Sequence, residues 1–442
     1  MDFLVALLVF TSSLVISIIK KITIILPLLV GVIVFSLTAY HRGFDIKSIL
    51  IMLVKGMKKS IILIPFFTLI GMLTSVWRAS GTIPFLVYYG TSFINPDYFI
   101  LIAFLLTCLV SFSIGTSFGT AGTIGVVLIV LARGGGVNVN AVAGAIISGA
   151  FFGDRCSPTS SSANLVAAIT KTNLYDNVKR MLVTGFIPFT LAVLFYLFIS
   201  LRNPINTVDN SLLIDLPNYY KLNIITILPA LIIFILAVFK VNVKTSMIFS
   251  IIMGIVISVF LQGFPFAKVL KDMIFGFNLD GDSILANIIS DGGIISMLNA
   301  SIIILLASSY SGIFEETNML KDIQNALEKL SDKIGVYLTT TITSIITSIF
   351  GCNQTLPVLL TYQLMHKIYE DNGFSNKDIA IDIENTVILI AVLIPWSIAV
   401  GVPLATLSVG PQSIPYAAYI YLVPLVNIIK LPFLKKKNIN VS

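Results

Sequence analysis

Two kinds of hydrophobic stretch in this chain are interrupted midway by small and polar residues, and each kind occurs once in either half. The first half carries SFSIGTSFGTAGTIG (residues 111–125) and then GAFFGDRCSPTSSSANL (149–165), while the second carries SIFGCNQTLP (348–357) and then LIPWSIAVGVPLATLSVG (393–410). A membrane offers no water to backbone groups freed by a break, so irregular chain at that depth survives only inside protein or along a wet cavity. Matching interruptions in two halves of one chain point to a binding site at the bilayer midplane between two repeats.

Composition makes the membrane reading firm. Charged residues are 11% of the chain and mean hydropathy is +0.98, against roughly 25% charged residues in a soluble domain. The net charge of +7 then reports topology and anionic lipid, and no basic cluster with interleaved aromatics suggests nucleic acid. Cys108, Cys156 and Cys352 lie in or beside apolar stretches, which leaves no disulfide framework or CxxC pair. His41 and His366 are too far apart in sequence to nucleate a zinc ligand set, and no cofactor motif is present. The apolar stretch at 3–19 follows Asp2 and lacks a basic start or a small-residue cleavage site, so it reads as a retained first span.

Uninterrupted runs of spanning length fall near 3–19, 22–39, 60–77, 181–201, 223–239, 244–262, 296–313 and 414–431; the interrupted ones fall near 98–132, 140–170, 335–369 and 384–410. The expected fold is an all-α polytopic membrane protein of two inverted-topology repeats. Each repeat carries a re-entrant hairpin and a discontinuous transmembrane helix. The polar stretch at 203–222 divides repeat 1–202 from repeat 223–434, and a tail follows at 435–442. Register agrees in part: Gly43 and Phe44 match Gly263 and Phe264 at an offset of 220, Gly56 matches Gly276 at the same offset, and Gly119 pairs with Gly351 after an insertion of polar residues (278–294).

Charge orients this arrangement. If 98–132 and 335–369 re-enter while 140–170 and 384–410 cross, the loops at 41–59, 171–180, 240–244, 315–333, 366–382 and the C-terminal tail share one side. Those loops, with Lys430 at the end of the last span, hold 19 Lys and Arg, against 8 on the other side. The basic side is then cytoplasmic, with both termini on it.

The interruptions carry the chemistry. Thr116, Ser117, Thr120 and Thr123 alternate with glycines at 115, 119, 122 and 125. Glycine permits the turn, hydroxyls satisfy freed amides, and released carbonyls can hold a hard cation such as sodium. A helix-packing face would need small residues only at every fourth position, and here nearly every position is small or hydroxylic. In the second motif Gly153 and Pro158 flank Asp154 and Arg155. A charge at mid-membrane costs roughly 2.5–3.5 kcal/mol on insertion scales, so such residues are usually functional. A carboxylate poised between desolvation and a neighbouring cation can trade a proton for a metal ion, and Asp154 is the candidate sodium ligand. Ser157, Ser160 and Asn164 supply neutral oxygens beside it, with Thr159, Ser161 and Ser162 in the same run. In the second half Asn353, Gln354 and Thr355 stand at the hairpin break, and Trp396 and Ser397 follow Pro395. Glu384 falls near a membrane end and reads as a solvated carboxylate.

The segments GTSFGTAGTIG, GAIISGAFFGDRCSP and LIPW followed by TLSV resemble the NhaC family of sodium/proton antiporters, over roughly residues 40–430. The resemblance implies inverted repeats, exchange coupled to protons or sodium, and functional weight on Thr116, Ser117, Thr120, Asp154, Ser157, Asn164 and Trp396. It also implies acidic residues where this chain has Ser161 and Asn385. Their absence leaves Asp154 expected to carry the proton nearly alone, and keeps open a second reading, coupled exchange of an organic acid or amino acid whose carboxylate meets Arg155. The partners implied are Na+ and H+ or a small organic solute, the lipid bilayer of the cell membrane, and a second copy if the chain forms a homodimer. A channel would want a continuous polar pore. An intramembrane enzyme is disfavoured because no histidine stands beside Asp154.

The charge count predicts that a cysteine placed at Asn210 in a Cys-free background reacts with an impermeant thiol reagent from outside the cell. Labelling only from the cytoplasmic side would invert the topology.

Overall fold

The computed structural model describes the chain apart from residues 1–2, 21, 24, 62, 94–95, 204–215, 240, 279–291, 318–323, 352 and 440–442. The dividing segment at 203–222, the insertion at 278–294 and Cys352 therefore fall wholly or largely outside the described residues, as does the end of the tail at 440–442. Among those described, the chain is helical and forms no β-strand.

In chain order the first half comprises α1 (Phe3–Ile19), α2 (Ile25–His41), α3 (Ile46–Ile61), α4 (Ile64–Ala79), α5 (Thr82–Phe93), α6 (Phe99–Ile114), α7 (Ser117–Gly134), α8 (Val139–Cys156), α9 (Ser161–Thr170) and α10 (Leu174–Arg202). The second comprises α11 (Leu228–Val238), α12 (Val243–Phe260), α13 (Phe266–Phe275), α14 (Leu298–Thr317), α15 (Gln324–Ile334), α16 (Val336–Phe350), α17 (Thr355–Asp371), α18 (Asn376–Leu393), α19 (Ile398–Thr406) and α20 (Ala418–Ile439). Helices α7 and α10 are long and apolar enough to span a bilayer alone, and α18 with α19 form one candidate span bent by 54°. Helix α10 turns an apolar face outward, with Val183, Phe186 and Phe198 exposed, as lipid contact requires.

Each interruption in the sequence is a helix break in space. Gly115 closes α6 in the left-handed region (φ +77), and α7 continues through a π-helical segment at Ala121–Gly125. Ser157 is extended after α8, and the Ser160 side chain caps α9 by accepting from the amides of Ser162 and Ala163. Gly351 parts α16 from α17, and Ser397 caps α19 after the break at Ile394–Trp396. Helix α18 is itself distorted at Thr386 (φ −118, ψ −84).

These breaks converge. Helix α6 packs along α8, α9 lies against α17 and α18, and α19 meets both α7 and α8. A β-carbon on Gly115 would overlap Thr159 and the Ser160 amide, so only glycine lets the first break touch the second. Gly43 and Gly263, matched in register, both take φ near the left-handed region (+94 and +82) just before an amphipathic helix, whereas Gly56 lies within α3 and Gly276 beyond the end of α13.

Loops assigned to the basic side are bonded to one another. Arg180 pairs with Asp378 at 3.0 Å, Lys377 with Asp176 at 3.1 Å, Lys55 with Glu316 at 2.6 Å and Lys367 with Glu328 at 3.6 Å. Loops 41–59, 171–180, 315–333 and 366–382 thus share one face of the protein.

Gly153 sets the closest approach of α8 to α6, since a β-carbon there would overlap the backbone of Ser111 and Phe112. Gly153→Ala should destabilise the purified protein by about 1–3 kcal/mol, the usual cost of overpacking, read as a lowered unfolding temperature in detergent. An unchanged temperature would show that the two helices are free to part.

Candidate functional site

Asp154 lies two residues before the end of the α8 helix, 4% exposed. Its carboxylate accepts from Ser117 Oγ at 3.2 Å and from Ser160 Oγ at 3.3 Å, while Ser162 Oγ donates to the Asp154 backbone carbonyl at 2.8 Å. The Gln354 amide from the second half also lies within reach of the carboxylate, and its Nε2 donates to Ile388 O at 3.0 Å. Three breaks, after α6, after α8 and after α16, therefore supply the surroundings of one carboxylate. Ser160 and Ser162 stand at the N-terminus of α9, whose dipole favours negative charge. Weak neutral donors around a buried acid leave room for a cation or a proton to complete the site.

Other candidates are placed differently. Thr120 Oγ1 and Thr123 Oγ1 donate to carbonyls of their own helix. Thr116, partly buried, holds the N-cap position of α7 with an extended backbone and no side-chain capping bond. Ser157 bonds Thr159 Oγ1 at 2.8 Å within the break. Asn164 is exposed and donates to Ser160 O at 2.6 Å, and Thr355 is exposed at the start of α17. Asn353 Oδ1 accepts from the Leu356 amide, which steadies the α17 N-terminus. Trp396 Nε1 donates to Ile349 O at 3.2 Å and the indole packs on Phe10, so it ties the α18–α19 break to the end of α16. Ser397 is buried as the α19 cap.

Arg155 does not face Asp154. Adjacent residues on a helix point about 100° apart, and the guanidinium runs the other way, 0% exposed. It donates to Tyr419 Oη at 2.8 Å, Thr184 Oγ1 at 3.0 Å, Met181 O at 3.1 Å, Cys156 Sγ at 3.4 Å and Asn385 Oδ1. Gly185 opposite it leaves the space the guanidinium fills. Arg155 thus clamps α8 to α10, α18 and α20.

Glu384 corrects the expectation of a solvated carboxylate. It is 0% exposed, and neither carboxylate oxygen has a hydrogen-bond partner among the described residues. Helix α18 starts at Asn376, behind the capping box of Ser375 and Asp378, which puts Glu384 about two turns inside a helix enclosed by α9, α10, α16 and α17. The charged start of that helix had set the span boundary at 384 and hidden this depth. Glu384 feels the charges of both Arg155 and Asp154, so the second half does bring an acid to the first half's break. Asn385, beside it, is the acceptor that completes the Arg155 clamp.

A sequence model of the Na+/H+ antiporter family matches residues 2–163 and 149–433, the two matches overlapping on the segment that holds Asp154. The chain belongs to that Na+/H+ antiporter family. Within this antiporter family it is 28% identical over 383 residues to the Na+/H+ antiporter NhaC of Alkalihalophilus pseudofirmus, covering 85% of this chain and 83% of the relative. It is 28% identical over 378 residues to a malate-2H+/Na+-lactate antiporter of Bacillus subtilis, covering 84% and 81%. An arginine/ornithine antiporter of Halobacterium salinarum is 27% identical over 361 residues, covering 80% and 74%.

The opposition of Arg155 and Glu384 can be measured. Arg155→Gln should cost about 3–5 kcal/mol by leaving a buried acid uncompensated, and adding Glu384→Gln should recover part of it, with a coupling of about 0.5–3 kcal/mol. Unfolding of the four purified proteins in detergent gives the cycle; strict additivity would show that the two charges do not interact.

Proposed function

We propose that this protein exchanges sodium for protons across the cell membrane, with Asp154 as the group that binds either one. The observation that carries this reading is the buried Asp154 carboxylate, held by two hydroxyls at the meeting of three helix breaks and paired with no cation among the described residues. Sodium wants hard oxygen ligands; the carboxylate, Ser117 Oγ and Ser160 Oγ offer them, and a proton satisfies the same carboxylate without a metal. Binding of one excludes the other, and that exclusion is what couples two gradients.

Alternating access follows from two inverted repeats, 1–202 and 223–434, joined outside the cell by 203–222, with 98–132 and 335–369 as re-entrant hairpins. Support comes from the shared turn conformation of Gly43 and Gly263 and from one broken hairpin and one broken helix in each half. The ion-paired face made by loops 41–59, 171–180, 315–333 and 366–382 is the cytoplasmic one on the distribution of Lys and Arg. Both termini lie there.

Relatives of equal similarity that carry organic solutes keep a second reading in view. An organic carboxylate would need a cation, and Arg155, the cation beside the break, already donates to five acceptors of the protein. Engaging a solute would cost those bonds, which favours the inorganic ion.

In proteoliposomes with an internal pH dye, sodium added outside should move protons outward, and Asp154→Asn should reduce that movement to background while the protein remains folded and inserted. The half-saturating sodium concentration of the parent should rise as pH falls, because proton and sodium contend for one carboxylate. Full, pH-dependent exchange by Asp154→Asn would refute the assignment. Sodium-independent counterflow of an organic acid, with no sodium-evoked proton movement, would favour the second reading.

A further inference from the structure

A cavity of about 630 Å³ opens on the ion-paired face between the end of α15, the start of α16, the end of α17 and the middle of α18. Its rim carries the exposed Asp332, Lys333 and Asn372. Its interior is lined by Tyr337, Tyr369 and Asp382. Asp382 Oδ2 accepts from Tyr369 Oη at 2.7 Å, and its second oxygen makes no hydrogen bond with the described residues. The Tyr337 hydroxyl, on a residue 5% exposed, has no partner among the described residues. A buried phenol left unbonded costs desolvation without return, so a ligand in the cavity is the natural completion of the pair.

The cavity is continuous in register with the Asp154 site. Tyr337, Thr340, Ser344 and Ser348 recur on α16 at spacings of three and four, which lines them on one face of the helix. Thr340 Oγ1 bonds Tyr369 Oη at 2.9 Å, and Ser344 Oγ donates to Thr386 Oγ1 at 2.9 Å, where α18 is distorted. Thr347 Oγ1 bonds Thr361 Oγ1 at 2.8 Å. At the far end Ser348 Oγ is buried and unpartnered. From Tyr337 to Ser348 the helix rises roughly 16 Å. One turn further the α16–α17 break presents Gln354 to Asp154. The row thus starts and ends on buried hydroxyls that lack a partner, one at the cavity and one below the binding site.

We infer that this cavity is the mouth through which a monovalent cation reaches the Asp154 site from the ion-paired face, with the Asp382 carboxylate and the Tyr337 hydroxyl as its first ligands. The inference rests on the antiport reading. Asp382 and Glu384 stand two residues apart on α18 and so face nearly opposite ways: Asp382 turns to the cavity and Glu384 to Arg155 and Asp154. The helix between them is the wall that the α16 hydroxyl row bypasses. Both ligands are oxygen, one of them anionic, as sodium prefers.

Sidedness tests it. Proteoliposomes of uniform orientation, prepared both ways, report the half-saturating sodium concentration for initial exchange at each face. Asp382→Asn should raise it about tenfold, the loss of one ion ligand, at the ion-paired face and leave the opposite face within about twofold. Equal change at both faces, or none at either, overturns the mouth while the parent still exchanges; a parent that moves no protons with sodium overturns the antiport reading as well. Leu338→Cys in a Cys-free background gives a readout that spares the acid. A charged impermeant thiol reagent applied at the ion-paired face should block exchange, and saturating sodium should slow the block. Modification only from the opposite face, or complete modification without loss of exchange, contradicts the inference.

Discussion

Helix breaks at membrane depth are tolerable only because each one is satisfied by another break, and the packing of the first against the second is what the site depends on. Gly115 has no β-carbon, so the end of α6 can lie on Thr159 and Ser160. That contact fixes Ser117 and Ser160 on either side of the Asp154 carboxylate. The third break, after α16, brings Gln354 from the other half. A continuous helix at any of these points would bury its polar groups in its own ladder and leave the carboxylate without these donors.

Charge is handled on two sides of one helix turn. Asp154 faces the breaks, where its carboxylate accepts from the hydroxyls of Ser117 and Ser160, while Arg155 faces α10, α18 and α20 with both terminal guanidinium nitrogens bonded and its Nε without a partner among the described residues. Glu384 sits between these regimes, buried and unbonded, within the electrostatic reach of both. A carboxylate in that position couples electrostatically to a group on each side of that helix turn.

The broken stretches, Asp154 and the hydroxyl-rich loops were legible in sequence because helix-breaking residues inside apolar runs have no other physical account. The orientation of neighbours was not. Asp154 and Arg155 stand side by side at one break in the sequence, yet helix geometry turns their side chains to different neighbours. Glu384 read as solvated because the polar turn at Ser375–Asp378 resembles a membrane boundary, whereas a capping box starts the helix there and carries residue 384 inside. Asn164 and Thr355 read as ligands by proximity in sequence and lie exposed on their helices. Tyr337 and Asp382 carried no sequence signal beyond a tyrosine and an acid near helix ends; only the packing of α15 to α18 brings them to one cavity.

The central claim is that one buried site holds either a proton or a sodium ion. Proton release on ion binding by the purified, detergent-solubilised protein in weakly buffered solution measures this without transport, orientation or leak. Sodium chloride should release protons in a saturable manner, and choline chloride at equal ionic strength should release none. Sodium binding with no proton release, or release of the same size with choline, would contradict it.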